Sequence, residues 1–381
     1  MIQTIQILYA AGIKVNNIYK YKIQLHMKFN KSLLLLLAMS FIGGFASCDY
    51  IHDDLQPCPT GMDLVFRYDY NLQRADMFSD HVGSVSVYLF DENGKFLFKQ
   101  VESNRVSEQP LRDNNYKMHL NLQPGKYQYV VEALQVPYEQ AIQNGGANFV
   151  KTEPQEGDEM KVITHVLDHD GNGLVPNNAL PLDTLWHGMR ATPIEVVQDK
   201  VTQDTVSLVR DTKQISVSLR EIDDPARIDV ADYDFRITDK NSRLLWDNSV
   251  DESVSVFYTP YATRNTEDKS VDGQIGSIGR MAHADFMTSR LLYHDKAADD
   301  AVLSITNKKT GREVVRVNLP DILSRLRSAA EIYRYTPQEF LDRGYDYQLT
   351  FFLKGDTWEY ANVEISVLSW AKRIQYETVG F

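Results

Sequence analysis

Ser84-Val-Ser-Val-Tyr-Leu-Phe-Asp-Glu-Asn-Gly-Lys-Phe-Leu-Phe-Lys-Gln-Val101 reads as two strands and the turn that joins them. Successive side chains of a strand point to opposite faces, so Val85, Val87 and Leu89 share one side. Asp91-Glu-Asn-Gly94 then reverses the chain, because Asn-Gly supplies the positive φ angles of a tight hairpin. Upstream, residues 64–70 put Leu64, Phe66, Tyr68 and Tyr70 on one face. Downstream, 118–122 and 127–134 flank Gln123-Pro-Gly125, another tight turn. The same pattern predicts strands at 161–167, 194–197, 205–209 and 215–219, and then at 234–238, 253–258, 301–306 and 313–319. Two more follow at 347–354 and 363–369, and Lys308-Lys-Thr-Gly311 joins its neighbours as a hairpin.

Helix is scarce. Thr336-Pro-Gln-Glu339 is a capping box with proline at the first helical position, and Gly344 marks the stop. A second helix is expected within 320–330. Many short strands separated by turns describe a mainly β chain built of β-sandwiches. The length divides it into two, 61–210 and 211–381, with the boundary near Arg210. No internal repeat and no low-complexity segment interrupts either part.

The 381 residues are 43% hydrophobic and 24% charged, which excludes a disordered chain. Residues 1–47 hold five lysines and no acid, so the rest has 35 bases against 52 acids and a net charge of −17. Such a surface repels a phosphate backbone and excludes nucleic acid as a partner. Two cysteines cannot build a disulfide scaffold or a four-cysteine zinc site.

Residues 27–48 have the three parts of a secretory signal: Met-Lys-Phe-Asn-Lys-Ser, an apolar run from Leu33 to Ala46, and Ser47-Cys48. The run is too short to cross a bilayer core of about 30 Å as a helix. Signal and leader therefore occupy 1–47, with Met27 as the expected natural start. Phe45-Ala-Ser-Cys48 matches a lipobox, with Phe45 where an aliphatic residue is usual. Cys48 is then the lipidation site, and several acyl chains on it give stable anchoring. Residues 48–60, with two prolines and several acids, are an extended tether. Cys58 is left as a free thiol or as the partner of a second chain.

Candidate chemistry is thin. Asp168-His-Asp-Gly-Asn-Gly173 carries the first half of a calcium loop in Asp168, Asp170 and Asn172. The position of the closing glutamate is Ala179, so a solvated turn is the default. His165 and His169 flank the same turn without a metal-binding spacing. Gly273-Gln-Ile-Gly-Ser-Ile-Gly279 has the wrong spacing for a dinucleotide loop. There is no GxSxG motif and no phosphate loop, and no residue is assigned a catalytic or cofactor role. The 21 tyrosines, 16 phenylalanines and 4 tryptophans alternate within strands, which fits core packing better than sugar stacking.

Several stretches in order resemble one family. They are Ser47-Cys-Asp-Tyr-Ile-His-Asp-Asp-Leu-Gln-Pro-Cys-Pro-Thr-Gly61, Leu64-Val-Phe-Arg-Tyr-Asp-Tyr-Asn71, Val85-Ser-Val-Tyr-Leu-Phe-Asp-Glu-Asn-Gly-Lys95, Leu122-Gln-Pro-Gly-Lys-Tyr127 and Val363-Glu-Ile-Ser-Val-Leu-Ser-Trp370. Together they look like the FimB/Mfa-type fimbrial anchor lipoproteins of Bacteroidota, most clearly over 47–134. The resemblance implies two transthyretin-like sandwiches and a lipid anchor in the outer membrane. It also implies a non-enzymatic role at the base of a fimbria, with the shaft subunit as partner. A surface lipoprotein that binds glycans is the alternative. In such bacteria Asp183-Thr-Leu185 and Asp204-Thr-Val206 also match a short O-glycosylation pattern. At the carboxyl end, Ile374, Tyr376 and Thr378 keep the strand period of Val363, Ile365 and Val367. A last strand that completes the protein's own sheet is the expectation there.

Overall fold

Strand pairing sorts the described residues into five sheets. The computed structural model describes residues 59–144, 149–268, 279–328, 334–355, 357–367 and 370–377. Sheet I has the order Val201–Ser207, Gly61–Arg67, Met118–Leu120, with the first pair parallel. Sheet II runs Val209–Arg210, Leu185–Val196, Gly125–Leu134, Ser84–Asp91, Phe96–Ser103. Their facing sides close one core. Met62, Leu64, Phe66, Leu120 and Val206 from sheet I meet Val85, Val87, Leu89, Val131 and Trp186 from sheet II.

The Asp91–Gly94 turn forms as its sequence predicts. Gly94 takes φ 74°, and Asp91 Oδ1 accepts the backbone N–H of Asn93 and of Lys95, each at 2.8 Å. Every residue from Ser84 to Phe90 is buried, on both faces of the strand. A small second core of Tyr88, Phe90, Phe96, Val130, Met160 and Ile163, with Trp246 packed on it, covers the outer side. Gly188 allows the two sheets to approach, since a Cβ there would lie 2.6 Å from Val206 Cγ1.

Sheet III is the largest: Ala262–Asp268, Gly279–Thr288, Lys213–Glu221, Asp346–Lys354, Thr357–Val367, Trp370–Glu377. Sheet IV runs Glu313–Asn318, Val302–Asn307, Tyr233–Asp239, Val256–Tyr258, Leu174–Val175. Ile215, Val217, Leu219, Phe286, Leu349 and Phe351 of sheet III pack on Phe235, Ile237, Leu303, Ile305 and Val315 of sheet IV. Sheet V is small, in the order Arg243–Leu245, Thr164–Leu167, Phe149–Thr152. Elements on the two sides of Arg210 exchange partners: Leu174–Val175 joins sheet IV, and Arg243–Leu245 pairs with Thr164–Leu167.

The capped helix forms over Pro337–Arg343. Thr336 Oγ1 accepts the N–H of Glu339 at 3.1 Å, and Gly344 follows the last turn. The second helix is shorter than 320–330. It spans Leu319–Ser324, capped by the Asn318 side chain, and tightens to a 3-10 turn over Arg325–Ser328. The expected strand at 161–167 begins only at Thr164, because Met160–Val162 is a 3-10 turn. The strand at 194–197 is the tail of the longer Leu185–Val196, and that at 253–258 shrinks to Val256–Tyr258. Five strands lacked a sequence signal: Phe149–Thr152, Leu174–Val175, Arg243–Leu245, Ala262–Asp268 and Gly279–Thr288. The carboxyl-terminal segment pairs antiparallel with Thr357–Val367, from Val367↔Trp370 to Tyr360↔Glu377. It is the outermost strand of its own sheet, as expected.

Candidate functional site

The sequence-derived sites lie apart from one another. Cys48, Cys58 and the glycine loop around Gly273–Gly276 fall outside the described residues. Asp168, Asp170 and Asn172 sit on an exposed turn after Thr164–Leu167. There Asp170 Oδ1 accepts the N–H of Asn172 at 2.9 Å and of Leu174 at 2.8 Å, and these bonds hold its carboxyl below the usual range. That is the geometry of an Asx turn. Among the described residues, no group of three or more His, Cys, Asp or Glu is placed to hold a metal. Thr184 is buried and donates to Gln135 Oε1, whereas Thr205 is exposed on a strand at the edge of sheet I.

His165 points away from His169 into a buried ionic group. Its Nε2 is 2.7 Å from Glu132 Oε2, and Lys151 Nζ contacts Glu132 Oε1. Burial by itself would raise the Glu132 carboxyl, but His165 and Lys151 hold it down at about 2. His283 lies on the face of sheet III with Ser218 Oγ 2.8 Å from Nδ1 and Thr266 Oγ1 2.6 Å from Nε2. Both ring nitrogens are occupied by hydroxyls, so neither meets the carboxylate that orients a nucleophile–base pair.

A stronger concentration of charge lies where sheets II and III meet. Lys213 is wholly buried, and its ammonium donates to the carbonyls of Arg210 at 2.9 Å, Asp342 at 3.1 Å and Gly344 at 2.9 Å. Three donors meet three acceptors, which satisfies the group completely. Beside it, burial pushes the Asp211 carboxyl up. Arg290 forks onto Asp342, with Nε–Oδ1 and Nη2–Oδ2 both 2.8 Å. Arg210 stacks over the Tyr345 ring at 4.4 Å and the Trp186 ring at 5.6 Å. Clustered buried charge often marks an active site. Here the bonds of Lys213 and Arg290 run to the backbone and to Asp342, which makes the cluster a rivet joining 210–213, Arg290 and the Pro337–Arg343 helix.

His294 is held between two carboxylates, Nδ1 to Asp300 at 2.9 Å and Nε2 to Glu252 at 3.0 Å. Burial pulls the imidazole down, but the two acids outweigh it and raise its pKa above the ordinary value. A raised histidine contributes its full stabilisation below the unfolded-state value of about 6.5 and loses it as pH climbs through the folded-state value. The contribution of His294 to the melting temperature is therefore expected to fall as pH rises above about 6.5. It is opposed by His81, His187 and His283, whose pKa values burial lowers. His294→Gln should remove the falling contribution and so make the slope with pH more positive. Parallel slopes for the two proteins would refute this.

What remains as functional surface is the two ends of the body and its strand edges. One end holds Gly61, paired with Val201, and an open cleft of about 480 Å³ lined by Asp91, Asn93, Gly125, Tyr127 and Glu195. Another holds a cleft of about 290 Å³ lined by Glu221, Asp224, Arg227, Asp232, Lys309 and Gly355. Phe96–Ser103 and Trp370–Glu377 are outermost strands of sheets II and III. Tyr293 is the one aromatic among the large exposed apolar side chains described, at 36%. Among the described residues no helix is long and apolar enough to cross a membrane.

A model of the family described as fimbrillin-A associated anchor proteins Mfa1 and Mfa2 matches residues 55–376. The minor fimbrium anchoring subunit Mfa2 of Porphyromonas gingivalis is 22% identical over 303 residues, 77% of this chain and 81% of that protein. A candidate adhesin of Bacteroides thetaiotaomicron, 28% identical, superposes with a TM-score of 0.70 over 84% of this chain and 100% of its own. A candidate polysaccharide-binding protein of the same organism, also 28% identical, gives 0.64 over 83% and 98%.

Proposed function

The chain belongs to this family of fimbrial anchor proteins, and from that premise we propose that it is a surface lipoprotein holding a fimbria to the outer membrane. Cys48 carries the lipid, 48–60 tether it, and the body binds the shaft subunit and governs how firmly and at what length the fibre is held. Residues 61–210 and 211–381 supply most of one transthyretin-like sandwich each, with Leu174–Val175 lent across the boundary to sheet IV. The match of the anchor-family model to 55–376 carries the reading. The signal ending at Ser47-Cys48 supports the lipid, and the outermost strands of sheets II and III offer main chain to which an extended segment can add. The role is structural, with no chemistry assigned to any residue, and the acidic body disfavours nucleic acid.

Deleting the gene should release fibres into the medium while shaft-subunit synthesis continues, and a Cys48→Ser chain should do the same while taking up no labelled palmitate. Normal fibre attachment in the deletion strain would defeat the proposal. The polysaccharide-binding description of the 28%-identical neighbour favours glycan binding as the second reading. It is supported instead if the deletion strain keeps its fimbriae and loses growth on one glycan.

A further inference from the structure

Between Val201 and Glu221 the chain passes from sheet I through sheet II into sheet III. Val201 pairs with Gly61 at the end where the tether joins, and Ser207 pairs with Arg67 at the other end of the same two strands. Leu208 N–H then bonds Arg67 O at 2.8 Å, Val209–Arg210 pairs with Trp186 and His187, and Asp211 N–H bonds Leu185 O at 2.8 Å. Those partners, Leu185 to His187, lie at the end of their strand away from Val196, which pairs with Gly125 on the tether side. From Lys213, opposite Thr288, the chain runs through sheet III to Glu221, opposite Leu353. Val201 to Glu221 thus forms a spine of paired strands that leads from the tether pole through the Lys213 junction to the far end of sheet III, a second, remote pole.

That remote pole is stitched together from three segments. Ile222 N–H bonds Leu353 O at 2.8 Å, and Gly355 N–H bonds Glu221 Oε1 at 3.1 Å. Lys308 N–H bonds Asp232 O at 2.7 Å, and Lys309 Nζ bonds Asp232 Oδ2 at 2.6 Å. The outermost strand of sheet III ends there too, since Glu377 pairs with Tyr360 near the Thr357 turn. The cleft of about 290 Å³ opens on this platform.

We infer that the first fibre subunit docks on this remote pole, on the 221–232 segment, the 307–312 turn and the chain at Lys354, Gly355 and Thr357, and not on the tether pole. The inference rests on the anchor reading above. A lipid on Cys48 leaves at most about 40 Å of extended chain before Pro59, so the Gly61 pole is held within that distance of the bilayer. A subunit docked there would compete with the membrane for space, and the fibre would start by growing into it. Docked at the remote pole, it grows outward. Tension on it then runs down the Val201–Glu221 spine and through the Lys213 junction, along main chain and paired strands. The three hydrogen-bonded segments make that pole rigid before the subunit arrives, which lowers the ordering cost of binding.

The test places single cysteines in a Cys58→Ser background of the full chain, in intact outer membranes, and reacts them with benzophenone maleimide. Lys309→Cys and Asp224→Cys report on the remote pole, and Lys126→Cys on the tether pole; all three side chains are exposed. The expected result is an adduct with the fibre subunit at least ten-fold stronger from Lys309→Cys or Asp224→Cys than from Lys126→Cys. Adducts chiefly from Lys126→Cys, or none from any position while the subunit still co-purifies, overturn the inference and leave the anchor role standing. If no fibre subunit co-purifies with the unaltered protein, the anchor reading itself fails and this inference with it.

Discussion

Lys213→Met is expected to destabilise the protein by roughly 3–5 kcal/mol, the cost of breaking a buried, fully paired charge by removing one partner. The volume of the side chain is nearly kept, so the loss is not a cavity effect. It comes from the carbonyls of Arg210, Asp342 and Gly344, which lose their donor where the side chain is wholly buried. It also removes the positive charge beside Asp211 and Asp342. With about 2–4 °C per kcal/mol for a body of this size, the melting temperature should drop on the order of 10 °C. Lys161→Met, at a lysine 71% exposed, is the control and should move stability by less than about 0.5 kcal/mol. Calorimetry that finds Lys213→Met within about 2 °C of the parent would show that the junction tolerates empty carbonyls.

The second large effect belongs to the carboxyl end. Truncation after Ser369 removes Trp370–Glu377 and strips Thr357–Val367 of its partner along eight registered pairs. The strand left at the edge carries Ala361, wholly buried, and Trp358, which packs edge-on against Phe351 at 5.7 Å. An edge strand with unpaired N–H and C=O groups frays and is a template for aggregation. Each large apolar side chain that a frayed edge uncovers costs roughly 1.5–3 kcal/mol, set against a whole-domain stability of about 5–15 kcal/mol. The truncated chain should therefore lose the transition of sheets III and IV and fail to hold fibres. An unchanged transition with fibre binding alone abolished would mean that this strand is given to a neighbour rather than used at home.

Features written in consecutive residues were legible without the structure. Asp91-Glu-Asn-Gly94 makes its turn through its own side chain and its own glycine, and Thr336 caps Pro337–Arg343 with a partner three residues away. The alternation of Leu64, Phe66, Tyr68 and Tyr70 placed one face inward, and the first three are buried, but the strand runs from Gly61 to Arg67 and Tyr70 lies beyond it, half-buried. The family was legible for the same reason, since its marks are short segments in order. Tertiary structure decided the rest. Gly279–Thr288, Gly-Arg-Met-Ala-His-Ala-Asp-Phe-Met-Thr, has almost none of the β-branched residues that announce a strand. It is a strand because Ala262–Asp268 and Lys213–Glu221 hydrogen-bond to it on both sides. Tyr88 and Phe90, on the side of their strand opposite Val85, Val87 and Leu89, are buried because Met160, Ile163 and Trp246 pack over them from remote parts of the chain. Nothing in the residues around Lys213 marks it as buried. Two of its three acceptors stand 129 and 131 residues away, a separation at which no local pattern survives. Propensity and turn chemistry act over a few residues, whereas burial of a charge depends on which distant carbonyls the fold brings to it.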